Sequence, residues 1–286
     1  MSFSQDIKDE LFPIVPKPRH CIIAELAAIV TVLGVVEDGR LSIHTENEEI
    51  KRKYFTLVNK TNIINGCDES LSREATEELF ETLKMKQNNL IADGLLLQQS
   101  CCKRAFIRGA FLTAGSISNP MKGYHFEIVM QSSDTAEQLK NAIDFFEIDA
   151  KIVERKHQYV VYVKESNQIA DLLALMGASV AYLKFENVRI EKEMRNSINR
   201  KVNCETANIS KTVSAAVRQL EDIRLIEEKR GLNSLPPNLQ EIAILRRDYP
   251  DMALKDLGNL LDPPVGKSGV NHRLRRIGEI ANSIRT

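Results

Sequence analysis

The chain has 286 residues, of which 43% are hydrophobic and 27% are charged, a composition typical of folded proteins with sizeable cores. Its 39 basic and 39 acidic residues balance, so a surface for nucleic acid would need a local excess of positive charge. No run approaches the ~18 consecutive apolar residues of a membrane helix, and the opening MSFSQDIKDEL is too polar for a signal peptide. We therefore expect a cytoplasmic protein without membrane contact. The length of the chain favours two domains.

The first half of the chain contains a faint internal repeat. The apolar run LAAIVTVLG, which ends at Gly34, is matched by IRGAFLTAG, which ends at Gly115, and each run follows a basic segment that contains cysteine. A short alternating stretch comes after each run, LSIHT at 41–45 and HFEIVM at 125–130. Alternation of this kind predicts a half-buried strand. The repeat therefore indicates a pseudo-symmetric α+β domain.

An amphipathic helix is predicted after each of these strands. The sequences are EEIKRKYFTLVNK in the first copy and TAEQLKNAIDFF in the second, where Asp134 is the expected N-cap. The second copy continues with two strand-like runs around a turn near Lys156 and His157, and then with a helix that Gly177 ends. The first copy has no clear counterpart of this strand pair, because region 61–99 is polar, rich in asparagine and then helical.

A charged, asparagine-rich segment separates the repeats from a helical C-terminal part. Residues 195–206 have no strong apolar face, so we expect them to form a linker. Between Ile209 and Gly231, apolar residues at helical spacing predict a helix with one apolar face: Val213, Val217, Leu220 and Ile223, with Leu225 or Ile226. Pro236 begins another helix, which ends before Pro250.

The stretch 252–280 predicts two short helices joined by a turn. Apolar residues at helical spacing define the first helix: Ala253, Leu254, Leu257, Leu260 and Leu261. Pro263 and Pro264 end this helix, because proline has no amide hydrogen to donate and restrains the residue before it. The second helix begins near Lys267 and has an apolar side of its own: Val270, Leu274, Ile277 and Ile280.

The polar side of this second helix has the residue types that read DNA. It presents seven polar side chains: Lys267, Ser268, Asn271, His272, Arg273, Arg275 and Arg276. Arginine and lysine donate to guanine O6 and N7, and asparagine pairs with adenine, once a helix enters the major groove. The solvated basic face of an ordinary helical hairpin is the alternative. A catalytic or metal site at Asn271 and His272 is disfavoured, because the sequence places no acidic or cysteine partner nearby.

The five cysteines show no spacing that predicts a metal site. Cys21, Cys67, Cys101, Cys102 and Cys204 form no CxxC pair and have no histidine at the spacing typical of zinc ligands. Because the thiols of cytosolic proteins stay reduced, we expect free and mostly buried cysteines. We expect neither a metal nor another cofactor.

Taken together, these segments resemble the WhiA family of bacterial regulators. The resemblance rests on MSFSQDIKDEL, ELAAI and IRGAFLTAGSIS, and more specifically on NCETANISKTVSAAVRQLEDI, LPPNLQEIAILR and PPVGKSGVNHRLRRI. It implies a degenerate LAGLIDADG domain, like that of homing endonucleases, over residues 1–194, with copies at about 1–99 and 100–194. An all-α domain would follow over 207–286, with a helix-turn-helix at about 252–280.

The resemblance also implies a function. Members of the family are transcriptional regulators linked to sporulation, cell division and chromosome segregation, so we expect a non-catalytic protein that binds double-stranded DNA sequence-specifically at the nucleoid. In active LAGLIDADG endonucleases, the acidic residue before each final glycine holds the divalent metal, which prefers oxygen ligands. This chain has Leu33 and Ala114 at those positions, so we expect no nuclease activity.

Two alternatives stay open at the level of sequence. A metal-dependent DNA endonuclease would need other acidic residues, and Glu37 and Asp38 are the ones that follow the first glycine. An interaction scaffold would bind RNA polymerase or another transcription factor and would contact DNA only weakly. The chain is also short for this family over 60–100, which predicts an incomplete sheet in the first copy.

Overall fold

A computed structural model describes residues 2–61, 71–85 and 89–285. The chain forms two compact units, Met1–Glu193 and Met194–Thr286. Each unit has its own core of buried apolar side chains. Within the described ranges, no helix combines the length and the apolar character that crossing a membrane requires.

The first unit alternates helices with short strands. In chain order, its elements are α1 (Phe3–Leu11), α2 (Arg19–Leu33), β1 (Gly34–Glu37), β2 (Arg40–Ile43), α3 (Glu48–Thr61), α4 (Arg73–Leu83), α5 (Ser100–Ala114), β3 (Gly115–Ile117), β4 (Phe126–Met130), α6 (Ser133–Asp144), β5 (Lys151–Arg155), β6 (Gln158–Val163) and α7 (Ser166–Met176). A longer helix, α8 (Ser179–Arg230), begins in this unit and ends in the second.

The helices α2 and α5 pack against each other at the centre of the first unit. Each has 15 residues, and each is followed directly by a glycine that begins a strand. Their middle turns are buried on every side, as expected of helices whose apolar residues are not confined to one stripe. Small residues, including Ala28 and Gly109, let the two backbones approach closely. The apolar repeats therefore form the centre of the fold.

The second repeat builds a four-stranded antiparallel sheet in the order β3-β4-β6-β5. Alternation along β4 buries Phe126, Ile128 and Met130 in the core, as the sequence pattern predicts. Lys156 and His157 both have positive φ, 49° and 64°, and form the tight turn between β5 and β6. Turns of this hand suit the twist of a hairpin. The predicted strands and turn of this copy are confirmed.

Among its described residues, the first repeat has a smaller sheet, the antiparallel hairpin β1-β2. The described part of region 61–99 contains α4 and a bridge between Met85 and Ala92. Its residues 62–70 and 86–88 lie outside the described ranges, and its described residues form no further strand. That the first copy lacks a clear second strand pair therefore stays a prediction.

The start of α6 differs from the prediction. Its N-cap is Ser132, not Asp134. The Ser132 hydroxyl accepts from the amide of Thr135, and the Thr135 hydroxyl accepts from the amide of Ser132, which is a capping box. These two hydrogen bonds satisfy two amides at the helix start. Asp134 lies in the first turn, where its negative charge interacts favourably with the positive end of the helix dipole.

Residues 195–206, expected to form a linker, lie within the 52-residue helix α8. No glycine or proline interrupts this helix, and Gly177 and Gly231 lie just outside its two ends. Its abundant lysine, arginine and glutamate have good helix propensity even where no apolar face exists. The charge pattern therefore indicates an exposed helix here, not irregular chain.

The apolar face predicted for the last turns of α8 is only partly buried. Ile223 and Ile226 are fully buried, but Val213 and Val217 are 56% and 50% exposed. The two valines lie in the predicted helix but are exposed, because the core of the second unit extends along α8 only over its last turns. Helical spacing shows which residues share a face but not how far along the helix a partner extends.

The second unit packs the end of α8 against a short 3-10 turn and three helices. These elements are the turn Leu232–Ser234, α9 (Pro237–Asp248), α10 (Leu254–Asn259) and α11 (Lys267–Arg285). Two ion pairs connect α8 to its neighbours. Glu227 lies 2.7 Å from Arg247 of α9, and Asp222 lies 2.8 Å from Arg285 of α11.

Candidate nucleic-acid interface

The turn between α10 and α11 is held by a close backbone contact. The amide of Val265 donates to the carbonyl of Gly258 over 2.9 Å. A Cβ atom on Gly258 would lie 2.0 Å from the carbonyl oxygen of Val265, so only glycine fits at this position. The two helices and the turn thus form a helix-turn-helix whose geometry requires glycine at position 258.

The apolar sides of both helices face the core of the second unit. Val270, Leu274 and Ile277 of α11 are buried, and Leu257 of α10 is fully buried. The prediction fails for Leu260, which is 50% exposed. The reason is that α10 ends at Asn259, so Leu260 no longer follows the helical periodicity. Ala253 is likewise exposed, because it is the N-cap of α10 and not part of its apolar side.

The opposite side of α11 is polar and accessible. At about 100° per residue, five residues of its first three turns point away from the buried stripe. These exposed residues are Ser268, Asn271, His272, Arg275 and Arg276. Lys267 is also exposed and lies at the start of the helix, where the free amides favour negative charge. The helix therefore offers hydrogen-bond donors and positive charge on one surface.

The other two arginines of the predicted set are engaged within the unit. Arg273 is half-buried and donates to the carbonyl oxygen of Asn238 in α9, at 3.4 Å. Arg276 is exposed, and its guanidinium lies 2.8 Å from the carboxylate of Glu279 one turn later. Arg273 thus lies on the flank of α11 that meets α9, apart from the exposed polar side.

The two positions that the resemblance aligns with catalytic acids are the last residues of the two central helices. Leu33 ends α2 and Ala114 ends α5, at equivalent points of the repeat. Glu37 and Asp38 lie at the far end of β1, where Glu37 pairs in register with Arg40 of β2. Neither helix end carries a carboxylate of its own.

Sequence reasoning missed a carboxylate beside the end of α5. Glu127 of β4 pairs in register with Ser116 and accepts from the Ser116 hydroxyl at 3.1 Å. Its other oxygen lies 2.9 Å from Nε2 of His125 and 3.8 Å from the guanidinium of Arg155. Alternation in HFEIVM places Glu127 on the outer face, but only the strand register brings it next to Ser116. Its oxygens engage a hydroxyl and basic groups, not a metal-binding partner acid.

The four described cysteines are free, as expected, but three of them lie next to a histidine. Nδ1 of His20 lies 3.1 Å from Sγ of Cys102, 3.4 Å from Sγ of Cys21 and 4.0 Å from Sγ of Cys101. These four ligand atoms all lie within 4.8 Å of one another. Three cysteines and a histidine that are far apart in the sequence therefore meet at one place, whereas Cys204 is exposed on α8. Cys67 lies outside the described residues.

Two family models match the chain, one in each part. The model of the WhiA LAGLIDADG-like domain matches residues 103–195, and the model of the WhiA C-terminal HTH domain matches residues 198–281. The first match covers the second repeat with its four-stranded sheet. The second covers the exposed part of α8 together with the helix-turn-helix.

Relatives of the chain match it over its whole length. The probable cell division protein WhiA of Lachnoclostridium phytofermentans is 46% identical over all of both chains. Its namesake in Alkaliphilus oremlandii is 45% identical over 99% of this chain and 98% of its own. The crystal structure of full-length WhiA from Thermatoga maritima has the same fold, with a TM-score of 0.60 at 24% identity and 99% coverage of both chains. The chain belongs to the WhiA family.

Proposed function

We propose that the chain is a sequence-specific DNA-binding regulator that acts without catalysis. The proposal depends on one observation: α11 presents Asn271, His272 and Arg275 to solvent while its other side is fixed in the core. A helix held in this way can enter a major groove as a rigid body. The match to the WhiA C-terminal HTH model supports this use of the unit.

Different residues of the exposed side have different tasks in this proposal. Asn271 is the candidate for pairing with adenine, and Ser268 and His272 flank it with hydrogen-bonding groups. Lys267, Arg275 and Arg276 supply positive charge for phosphates or guanine. Arg273 supports DNA binding indirectly, because its hydrogen bond to the carbonyl of Asn238 holds the flank of α11 against α9.

The first unit serves as a scaffold in this proposal, not as a nuclease. Leu33 and Ala114 offer no side-chain carboxylate to Mg²⁺ at the two helix ends where the fold would need it. Glu127 is engaged by Ser116, His125 and Arg155. Supercoiled plasmid incubated with the protein and Mg²⁺ should therefore stay intact; nicking that EDTA abolishes would contradict this part of the proposal.

The names of the relatives support a role in cell division. Proteins 46% and 45% identical to this chain are named probable cell division proteins. We infer that the chain controls transcription of genes for cell division at the nucleoid, with chromosome segregation and sporulation as related processes. RNA polymerase or another transcription factor is the protein partner that such a regulator would contact.

A selection from random duplex DNA tests the central claim. The full-length chain is incubated with a library of random duplexes at low ionic strength, and the bound fraction is sequenced after several rounds. An enriched motif is the expected result. Complete absence of retention at low salt would overturn the proposal, because even non-specific binding depends on phosphate contacts. Retention without any enriched motif would favour the scaffold alternative.

Three variants separate base reading from phosphate binding. Asn271→Ala should reduce discrimination at particular bases by about 1–3 kcal/mol. Arg275→Ala should weaken binding to all duplexes and lower the slope against salt by about one if Arg275 binds phosphate. Arg224→Ala removes the same charge from an exposed position on α8 and is the matched control. An equal loss of DNA affinity in Arg224→Ala and Arg275→Ala would show that the exposed side of α11 is not the DNA-binding surface.

A further inference from the structure

The first turns of α2 and α5 carry equivalent pairs of potential metal ligands. His20 and Cys21 are the second and third residues of α2, and Cys101 and Cys102 are the second and third residues of α5. The pseudo-symmetry of the fold therefore brings two adjacent ligands from each repeat to one point. Neither the family models nor the names of the relatives refer to a metal.

The distances within this cluster fit tetrahedral coordination. Zinc–sulfur bonds of about 2.3 Å and zinc–nitrogen bonds of about 2.0–2.1 Å imply a nitrogen–sulfur edge of about 3.6 Å. The three distances from Nδ1 of His20 to the sulfurs are 3.1, 3.4 and 4.0 Å, which lie on both sides of that value. All six distances between ligand atoms are within 4.8 Å, whereas the sulfur–sulfur edge of a tetrahedral zinc site is about 3.8 Å. Side-chain shifts of up to about 1 Å would therefore bring all four ligands to an ion.

The surroundings suit thiolates bound to a cation. Cys21 and Cys102 are buried, and Cys101 is half-buried. The cluster lies at the positive ends of two helices, which favour negative charge. A divalent ion binds cysteine as the thiolate, and two partly desolvated thiolates next to two helix N-termini suit such an ion.

We propose that His20, Cys21, Cys101 and Cys102 form a structural Zn²⁺ site of the Cys3His type. Four protein ligands complete the tetrahedron and leave no open position for a water molecule, which is typical of structural and not of catalytic zinc. His20 is exposed, so its Nε2 can face solvent while Nδ1 binds the ion.

The position of the site suggests what the ion does. Cys21 lies 12 residues before Leu33, so the site is about 18 Å along α2 from the end where an endonuclease would hold its catalytic metal. The ion would join the first repeat to the second at the opposite end of the helix pair.

Metal analysis of the full-length, tag-free protein tests the proposal. Protein purified with a phosphine reductant and without chelator should contain close to one equivalent of zinc by mass spectrometry. Replacement by Co²⁺ should give the intense visible bands of a tetrahedral site and a thiolate charge-transfer band. A strong chelator should lower the Tm. Protein that binds neither Zn²⁺ nor Co²⁺ in a stoichiometric amount would overturn the proposal.

Matched variants identify the ligands. Cys102→Ser should reduce zinc content several-fold and change the Co²⁺ spectrum, whereas Cys204→Ser, at an exposed position on α8, should retain the full equivalent. If Cys102→Ser does not fold, the Co²⁺ spectrum of the parent protein still decides the number of thiolate ligands. A native disulfide between Cys21 and Cys101, or zinc retained at parent affinity in every cluster variant, would contradict the site.

Discussion

Gly109 of α5 lies directly against the backbone of Glu25 in α2. A Cβ atom at position 109 would lie 2.6 Å from the carbonyl oxygen of Glu25 and 2.9 Å from Cβ of Ala28. The two central helices can therefore pack this closely only because one of them has no side chain at the crossing. The two apolar runs that form the repeat in the sequence are thus also the helices whose packing joins the two halves of the first unit.

Gly109→Ala should destabilise the first unit by about 1–3 kcal/mol, because the added methyl group meets backbone that cannot move aside. Denaturant titration followed by circular dichroism measures the loss. Gly123→Ala is the control, since a Cβ atom there would meet nothing within 4 Å, and its effect should stay within about 0.5 kcal/mol. Equal effects of the two variants would show that the helices are not in close contact.

The buried carboxylate of Glu25 joins two buried cations. It lies 3.0 Å from Nζ of Lys53 and 2.5 Å from the guanidinium of Arg108. Glu25→Gln keeps the shape but leaves two positive charges buried without an anion, which should cost about 3–5 kcal/mol of unfolding free energy. Glu48→Gln, which alters a surface pair between exposed Glu48 and half-buried Lys51, should cost less than about 1 kcal/mol. Similar values for both variants would argue against a buried triad.

The same triad predicts a dependence of stability on pH. Burial lowers the pKa of Lys53 below its ordinary value of 10.5, although Glu25 opposes the shift. Between the lowered pKa and 10.5, the unfolded chain binds more protons at this lysine than the folded chain does. The contribution of Lys53 to stability should therefore rise as the pH increases through that window.

Comparison of the parent with Lys53→Met isolates this contribution. The unfolding free energy of the parent minus that of Lys53→Met should increase as the pH rises towards 10.5. Other groups that titrate in alkali affect both proteins alike and cancel in the difference. A difference that is constant with pH would mean that Lys53 has the same pKa in the folded and unfolded chains.

Gly258→Ala should disrupt the helix-turn-helix. A methyl group there would lie 2.0 Å from the carbonyl oxygen of Val265, so the turn has to open. We expect a loss of about 1–3 kcal/mol in stability and weaker binding to duplex DNA. At Gly266 in the same turn, an added methyl group would meet open space, so Gly266→Ala should lose much less stability and DNA affinity. Unchanged DNA affinity in Gly258→Ala would mean that the turn does not set the position of α11.

Local patterns in the sequence predict the elements well and their long-range partners poorly. The apolar runs that end at Gly34 and Gly115, and the prolines before α11, are local signals, and the corresponding elements form as expected. The ligand cluster was missed because its two halves are about 80 residues apart, and only the packing of α2 on α5 joins Cys21 to Cys102. Glu127 was missed for the same reason, since strand register is a property of the sheet.

The polar stretch of α8 gives the sharpest contrast between composition and structure. Residues 195–206 lack an apolar face, yet they are helical throughout, with no proline or glycine to interrupt them. Their amides should exchange with deuterium more slowly than those of an irregular linker. Asn199→Pro removes a helical amide and should cost about 3 kcal/mol locally, so exchange should accelerate over the adjacent turns. Asn199→Ala, at the same exposed position, should slow exchange slightly, because alanine is the better helix former. Rapid exchange in the parent protein that neither substitution alters would show that this stretch is not helical in solution.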